Sequence, residues 1–86
     1  MPVIFSDRGF RFHFYSSEGD PREPMHVHVA KRDEGDAKFW LYPEVAMADN
    51  RGLDARTLRW LTEQISLRRP EIVSAWHEHF GTPDER

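Results

Sequence analysis

The chain changes its hydrophobic pattern once, near residues 50–52, and the two halves predict different secondary structure. Before that point apolar and polar residues alternate, which is typical of strands with one buried face. After Gly52 the apolar spacing lengthens to three and four residues, as in amphipathic helices. Strands followed by helices predict an α+β domain in which the helices pack on one face of an antiparallel sheet.

Three alternating segments are the clearest predicted strands. They cover residues 10–15, 25–30 and 37–42. Residues 1–5 are expected to add a short strand, whereas residues 44–49 fit a short strand or a helical turn equally well. We therefore expect a small sheet of three to four strands. Its core face would carry Phe10, Phe12, Phe14, Met25, Val27, Val29, Ala37, Phe39 and Leu41.

Two helices are predicted in the second half of the chain. Asp54 is placed to cap the first, Pro70 separates it from the second, and Gly81 closes the second. Their apolar stripes are formed by Leu58, Leu61 and Ile65 and by Ile72, Val73, Trp76 and Phe80. Because no linker interrupts the pattern, we expect one domain over residues 1–81 and a frayed tail over residues 82–86.

Composition narrows the class of protein without naming a function. The 86 residues contain no cysteine, which excludes disulfides and thiolate zinc sites. The net charge of −3 gives no overall basic field of the kind that nucleic-acid binding proteins carry. No apolar run approaches the ~18 residues of a membrane span, and no signal pattern opens the chain. We expect a soluble, cytoplasmic protein that does not contact membranes.

The sheet face turned away from the helices carries the candidate chemistry. If the alternation holds, it displays imidazoles, cations and aromatic rings without a carboxylate: Arg11, His13, Tyr15, His26, His28, Lys38, Trp40 and Tyr42. Aromatic side chains outside a core favour an interface. Three occupants fit this face: a partner protein, single-stranded nucleic acid stacked on the aromatic rings, and the chain's own loop folded over it.

His26 and His28 form the sharpest local motif, an H-x-H pair. On a strand both side chains project from one face, about 6.5–7 Å apart at the backbone. They could bind zinc, with His13 as a third ligand. They could also act as general base and acid on a phosphodiester, with Lys38 stabilising negative charge. We favour a third interpretation, a structural or interaction role in which the histidines hydrogen-bond to the preceding loop and hold Pro24 against the sheet.

The motifs together resemble a small bacterial family called domain of unknown function 4160. Its hallmark is a Pro-Pro-His-aliphatic-His-Val stretch, and residues 24–29 read Pro-Met-His-Val-His-Val. Residues 10–16 are similar to its aromatic strand and residues 76–81 to its closing Trp-His-Glu-aromatic-Phe-Gly run. The resemblance covers residues 1–81. His13 stands where the family more often has an aromatic residue, which argues against a family-wide three-histidine metal site.

The resemblance implies a dedicated protein partner. Genes of this family often lie beside another small gene, in pairs that look like toxin–antitoxin modules. Our leading hypothesis is therefore a bacterial interaction module that binds the small protein of the adjacent gene through His26, His28, Lys38 and Trp40. The alternatives are a ribonuclease-like or metal-assisted phosphodiesterase and a single-stranded nucleic-acid binder. The resemblance assigns no oligomeric state.

Overall fold

The computed structural model of the chain describes residues 3–15 and 24–81, and these form an α+β fold. A five-stranded antiparallel sheet precedes two helices, and each strand pairs with its neighbours in sequence. The elements are β1 (Val3–Asp7), β2 (Phe10–His13), β3 (His26–Lys31), β4 (Gly35–Trp40), β5 (Ala46–Arg51), α1 (Ala55–Leu67) and α2 (Arg69–Phe80). The predicted fold class is confirmed, as is the order of strands and helices.

Short turns join β1 to β2 and β3 to β4. Arg8 and Gly9 join β1 to β2, and both have positive φ angles, 51° and 83°. A two-residue hairpin turn of this hand matches the natural twist of the flanking strands. Between β3 and β4 the amide of Glu34 donates to the carbonyl oxygen of Lys31 at 3.1 Å. This bond closes a polar hairpin turn over residues 32–34.

The predicted core lies between the sheet and the two helices. Phe12, Val27, Val29 and Phe39 have no exposed surface, whereas Met25 is only partly buried at the margin. The helices contribute Leu61, Ile65, Ile72 and Trp76 to the same cluster. Ring contacts join the layers: Phe10 lies 5.9 Å from Trp60 and Phe14 lies 5.3 Å from Trp76, between centroids. Burying one such side chain stabilises the fold by about 1.5–3 kcal/mol.

The expectation of three to four strands is corrected by β5. The segment that fitted a strand or a helical turn equally well forms the fifth strand, although nearly all of its side chains are exposed. Its place is fixed by pairing with β4, where Lys38 faces Asp49 and Phe39 faces Met47, so Ala48 forms a bulge. A strand without a buried face has no alternation for the sequence pattern to reveal.

Close backbone contact holds β5 against the start of β4. Gly35 has a φ angle of 150°, and a Cβ atom there would collide with the carbonyl oxygen of Arg51. Near the end of β5, the Asn50 side chain accepts a hydrogen bond from the Leu53 amide and donates one to the Leu53 carbonyl oxygen, each at 3.1 Å. These contacts set the direction in which the chain leaves the sheet and enters α1.

The helix boundaries follow the predicted signals. The Asp54 carboxylate accepts a hydrogen bond from the Thr57 amide at 2.8 Å and caps α1. Pro70 lies in the first turn of α2, and the Gly81 amide donates to the His77 carbonyl oxygen at its end. The predicted tail, residues 82–86, lies outside the described residues. No described helix is long and apolar enough to cross a membrane.

We expect Gly35→Ala to lower the free energy of unfolding by about 1–3 kcal/mol, because the methyl group meets the Arg51 carbonyl oxygen in a backbone conformation that alanine rarely adopts. Urea unfolding followed by circular dichroism measures this loss. Ala48→Gly at the bulge is the control for changes in β5 alone. Wild-type stability in Gly35→Ala would show that the close approach is not required.

The capping bond from Thr57 holds the pKa of Asp54 below its usual value. A lowered pKa in the folded state stabilises the protein above the ordinary aspartate pKa and loses this effect as pH falls through the folded value. Asp54→Ala should therefore lower the melting temperature by a few degrees at pH 7 and by less at acidic pH. Asp54→Asn, which keeps an acceptor, should lose less at pH 7. An equal loss at all pH values would contradict a charged cap.

Candidate functional site

The strand register brings the predicted site residues onto one face of the sheet. Across the middle of the sheet His13 faces His28, His28 faces Lys38 and Lys38 faces Asp49. A second row pairs His26 with Trp40. We call this side of the sheet the open face; on β2 to β5 it is formed by Arg11, His13, His26, His28, Asp36, Lys38, Trp40, Asp49 and Arg51. Phe39 is fully buried on the other side, so the predicted register is observed.

Three imidazoles and one phenol form a cluster at the centre of the open face. The rings of His13 and His28 stack with centroids 5.6 Å apart, and His26 meets His28 edge-on at 5.1 Å. The Tyr15 ring lies 4.5 Å from His28. Strands β2 and β3 position the histidines because His13 and His28 are directly opposed in their ladder. The cluster predicted from the H-x-H motif and His13 is therefore assembled.

The surroundings of His26 are those of a residue that stabilises the fold. Its side chain is completely buried, and Nδ1 lies 2.8 Å from the Pro24 carbonyl oxygen. Because a carbonyl oxygen only accepts, Nδ1 carries the proton in this hydrogen bond. The ring packs edge-on against Trp40 at 5.7 Å and Trp76 at 5.3 Å. The interpretation in which this histidine holds Pro24 against the sheet is observed for His26.

Burial corrects the picture of a face fully open to solvent. His13 is only 3% exposed and His26 is not exposed, whereas both were expected to be displayed on the surface. Trp76, at the C-terminal part of α2, contacts both Phe14 on the core side and His26. Helix α2 thus closes one end of the sheet. Of the three histidines in the cluster, His28 is the one that reaches the accessible surface.

A groove of about 200 Å³ lies beside the histidine cluster. It is lined by Tyr15, His28, Asp36, Ala37, Lys38, Asp49 and Arg51. The Lys38 ammonium also lies 4.6 Å from the centroid of the Trp40 ring, within range of a cation–π interaction. Aromatic, imidazole, cationic and anionic groups therefore surround one concave surface.

The groove contains two carboxylates that the sequence pattern did not reveal. The predicted face had no acidic residue, but Asp36 and Asp49 line the groove together with Arg51. Asp36 precedes Lys38 by two residues, so extending the alternation by one step would have found it. Asp49 and Arg51 required knowledge of β5, whose pattern was ambiguous. The open face consequently carries both signs of charge.

Arg11 and Tyr42 do not line the groove. Arg11 is exposed and faces Ala30, one row away from His28. Tyr42 follows the end of β4, and its ring lies 3.9 Å from the Arg69 guanidinium of α2. Arg69 Nη2 also donates to the Pro43 carbonyl oxygen at 3.3 Å. The aromatic ring of Tyr42 is therefore held at the helix start, apart from the histidine cluster.

Among the described residues, no third ligand completes the predicted zinc site. Within residues 3–15 and 24–81, no group of three His, Asp or Glu side chains is arranged to hold a metal ion. The metal hypothesis therefore remains one that rests on His26 and His28 alone. For His26 the proton on Nδ1 excludes that nitrogen as a ligand while the bond to Pro24 persists.

The comparison with protein families identifies the chain. The model of a domain of unknown function, DUF4160, matches residues 9–77. The chain belongs to the DUF4160 family. The match includes every residue that lines the groove and the whole H-x-H stretch, and it confirms the predicted family. It ends at His77, inside the closing Trp-His-Glu segment. No curated protein and no solved structure matches the chain.

We expect His26→Ala to lower the free energy of unfolding by about 2–4 kcal/mol, because it leaves a cavity between two tryptophans and removes the hydrogen bond to Pro24. His28→Ala, at a half-buried position, should cost about 1 kcal/mol. Urea unfolding monitored by tryptophan fluorescence compares the two. Equal stability of His26→Ala and the wild type would contradict the structural role.

Proposed function

We propose that this DUF4160 protein is a small interaction module whose open face binds a partner protein. The partner is the small protein of an adjacent gene, in a bacterial two-gene system of the toxin–antitoxin type. The observation that carries the proposal is the groove, at which Tyr15 is 46% exposed beside half-buried His28 and Lys38. Aromatic and cationic side chains around a concave surface are typical anchors of protein interfaces.

The charges of the groove favour a protein over a nucleic acid. Asp36 and Asp49 lie beside Lys38 and Arg51, so cations and carboxylates alternate on one surface. A phosphate backbone would be attracted by the cations and repelled by the carboxylates, and binding of polyanions depends mainly on net cationic charge. A protein segment that carries both signs of charge satisfies all four groups.

The rigidity of the surrounding side chains supports the same proposal. Trp40 is packed on His26 from one side and contacts the Lys38 ammonium, and His26 is fixed by Pro24 and Trp76. An anchor that is already held in place loses little conformational entropy when a partner binds. The buried histidine thus contributes to binding as a support, and the exposed part of the face makes the contact.

Phosphodiester cleavage is the second candidate. His26 meets His28 edge-on at 5.1 Å, and Lys38 is directly opposite His28, which places the two histidines of the H-x-H pair and a cation in neighbouring positions. The complete burial of His26 and the two carboxylates of the groove weigh against a substrate phosphate at this place. Binding of a partner protein therefore remains the proposal that the geometry supports best.

We expect Trp40→Ala and Tyr15→Ala each to weaken binding of the protein encoded by the adjacent gene by about tenfold or more, because each removes an aromatic anchor at the open face. Isothermal titration calorimetry measures the dissociation constant. Leu67→Ala is the matched control, since Leu67 is an apolar side chain of α1 that is 75% exposed and away from this face. The dissociation constant of Leu67→Ala should stay within about twofold of the wild-type value.

Three results would contradict the proposal. Unchanged affinity in both aromatic variants, with native circular dichroism, would place the contact elsewhere. Cleavage of a single-stranded RNA by the wild type that His28→Ala abolishes would favour the phosphodiesterase, and comparison with and without added zinc would reveal a metal requirement. Salt-sensitive RNA binding without cleavage, lost in Trp40→Ala, would favour a nucleic-acid binder.

A further inference from the structure

Strand β5 lies at one edge of the sheet that the described residues form. Among the described strands it pairs only with β4, and all but one of its side chains are exposed. The strand contains no proline and no lysine, residues that commonly protect an edge from pairing. Such an edge offers backbone N–H and C=O groups to a further strand, which can come from another protein or from a second copy of the chain.

The charges of β5 are complementary to those of a second β5 in one antiparallel register. Asp49 and Arg51 are two residues apart and lie on the open face. If two copies pair around a two-fold axis with Asn50 opposite Asn50, Asp49 of each copy faces Arg51 of the other. In the register shifted so that Asp49 faces Asp49, like charges oppose each other, which is unfavourable. We propose that the chain associates with a second copy of itself through this pairing of β5.

Backbone direction is consistent with this register. The Arg51 carbonyl oxygen points toward β4, where it would meet a Cβ atom at Gly35. Because the polar groups of successive residues in a strand alternate in direction, the N–H and C=O of Asn50 point to the outer side. Two Asn50 residues at the axis can therefore exchange both backbone hydrogen bonds. The Asn50 side chain is bound to Leu53 and does not compete for them.

The pairing would extend the charge rows of the open face. Within one copy Lys38 faces Asp49, and Asp36 faces Arg51. Across the junction the row continues as Lys38, Asp49, then Arg51 and Asp36 of the second copy, so that the sign alternates at every step. In the single chain Asp49 and Arg51 form an exposed ion pair, in which Arg51 Nε lies 3.6 Å from Asp49 Oδ2. Because solvent screens this pair, its two side chains can exchange partners.

The association would change the groove. An axis perpendicular to the sheet places both open faces on the same side, and Arg51 of the second copy then lies beside Asp49 at the groove wall. The bulge at Ala48 limits regular pairing to the C-terminal part of the strand, so the interface is small. A small interface of this kind predicts a weak, transient dimer. The pairing is argued from the strand edge and not from the identity of the molecule that binds the open face, although Asp49 and Arg51 belong to both surfaces.

Charge reversal tests the register directly. Sedimentation equilibrium on the full chain up to about 1 mM, a concentration that populates dimers with weak affinity, should show a monomer–dimer equilibrium. Asp49→Arg and Arg51→Asp alone should each weaken it by about tenfold or more, because each creates two like-charged pairs at the axis. A one-to-one mixture of the two variants should dimerise again. In a dimer with one copy of each variant, positions 49 and 51 carry opposite charges across the axis.

Matched controls separate this effect from net charge and from unfolding. Glu63→Arg and Arg59→Asp make the same changes of charge on exposed positions of α1 and should dimerise as the wild type does. Circular dichroism checks that both β5 variants are folded. A wild type that stays monomeric, β5 variants that dimerise normally, or a mixture that stays monomeric would each overturn the proposal. A monomeric wild type together with loss of adjacent-gene protein binding in Asp49→Arg would assign Asp49 to the partner-binding groove and overturn the pairing of β5.

Discussion

Three apolar side chains are fully buried between the sheet and the helices: Val27 and Val29 on the central strand β3, and Phe39 on the neighbouring strand β4. Their burial fixes the register of β3 against β2 and β4, because a shift by one residue would turn these side chains to the opposite face and bring histidines into the core. The same register determines which side chains share the open face. The packing of a few apolar residues therefore controls the position of the polar groups that β2, β3 and β4 bring to the candidate site.

Helix α2 connects the two sides of the sheet. Trp76 lies in the core against Phe14 and also contacts His26, whose ring is bound to Pro24. An imidazole that makes this contact is part of the folded framework rather than a free reactive group. The two members of the H-x-H motif therefore differ in role although they are two residues apart: His26 supports the sheet end, and His28 reaches the groove.

The groove combines features that are seldom found together on a solvated sheet face. Tyr15 and His28 stand beside two carboxylates and two cations, so the surface offers aromatic contact and charges of both signs. This combination suits recognition of a protein surface better than a catalytic mechanism that needs an anionic substrate. DUF4160 is a domain of unknown function, so membership of the family assigns no activity to this face.

Alternation of apolar and polar residues in the chain was sufficient to predict three strands, their common core face and the residues opposite them, since each of these strands buries one side. Caps and breakers at Asp54, Pro70 and Gly81 likewise predicted the helix ends, because their effects are local. Strand β5 was different: nearly all of its side chains are exposed, and backbone pairing with β4 sets its place in the sheet. Local patterns also do not encode contacts between segments that are distant in sequence. The burial of His13 and His26 depends on such contacts, and so does the position of Asp49 and Arg51 beside the groove.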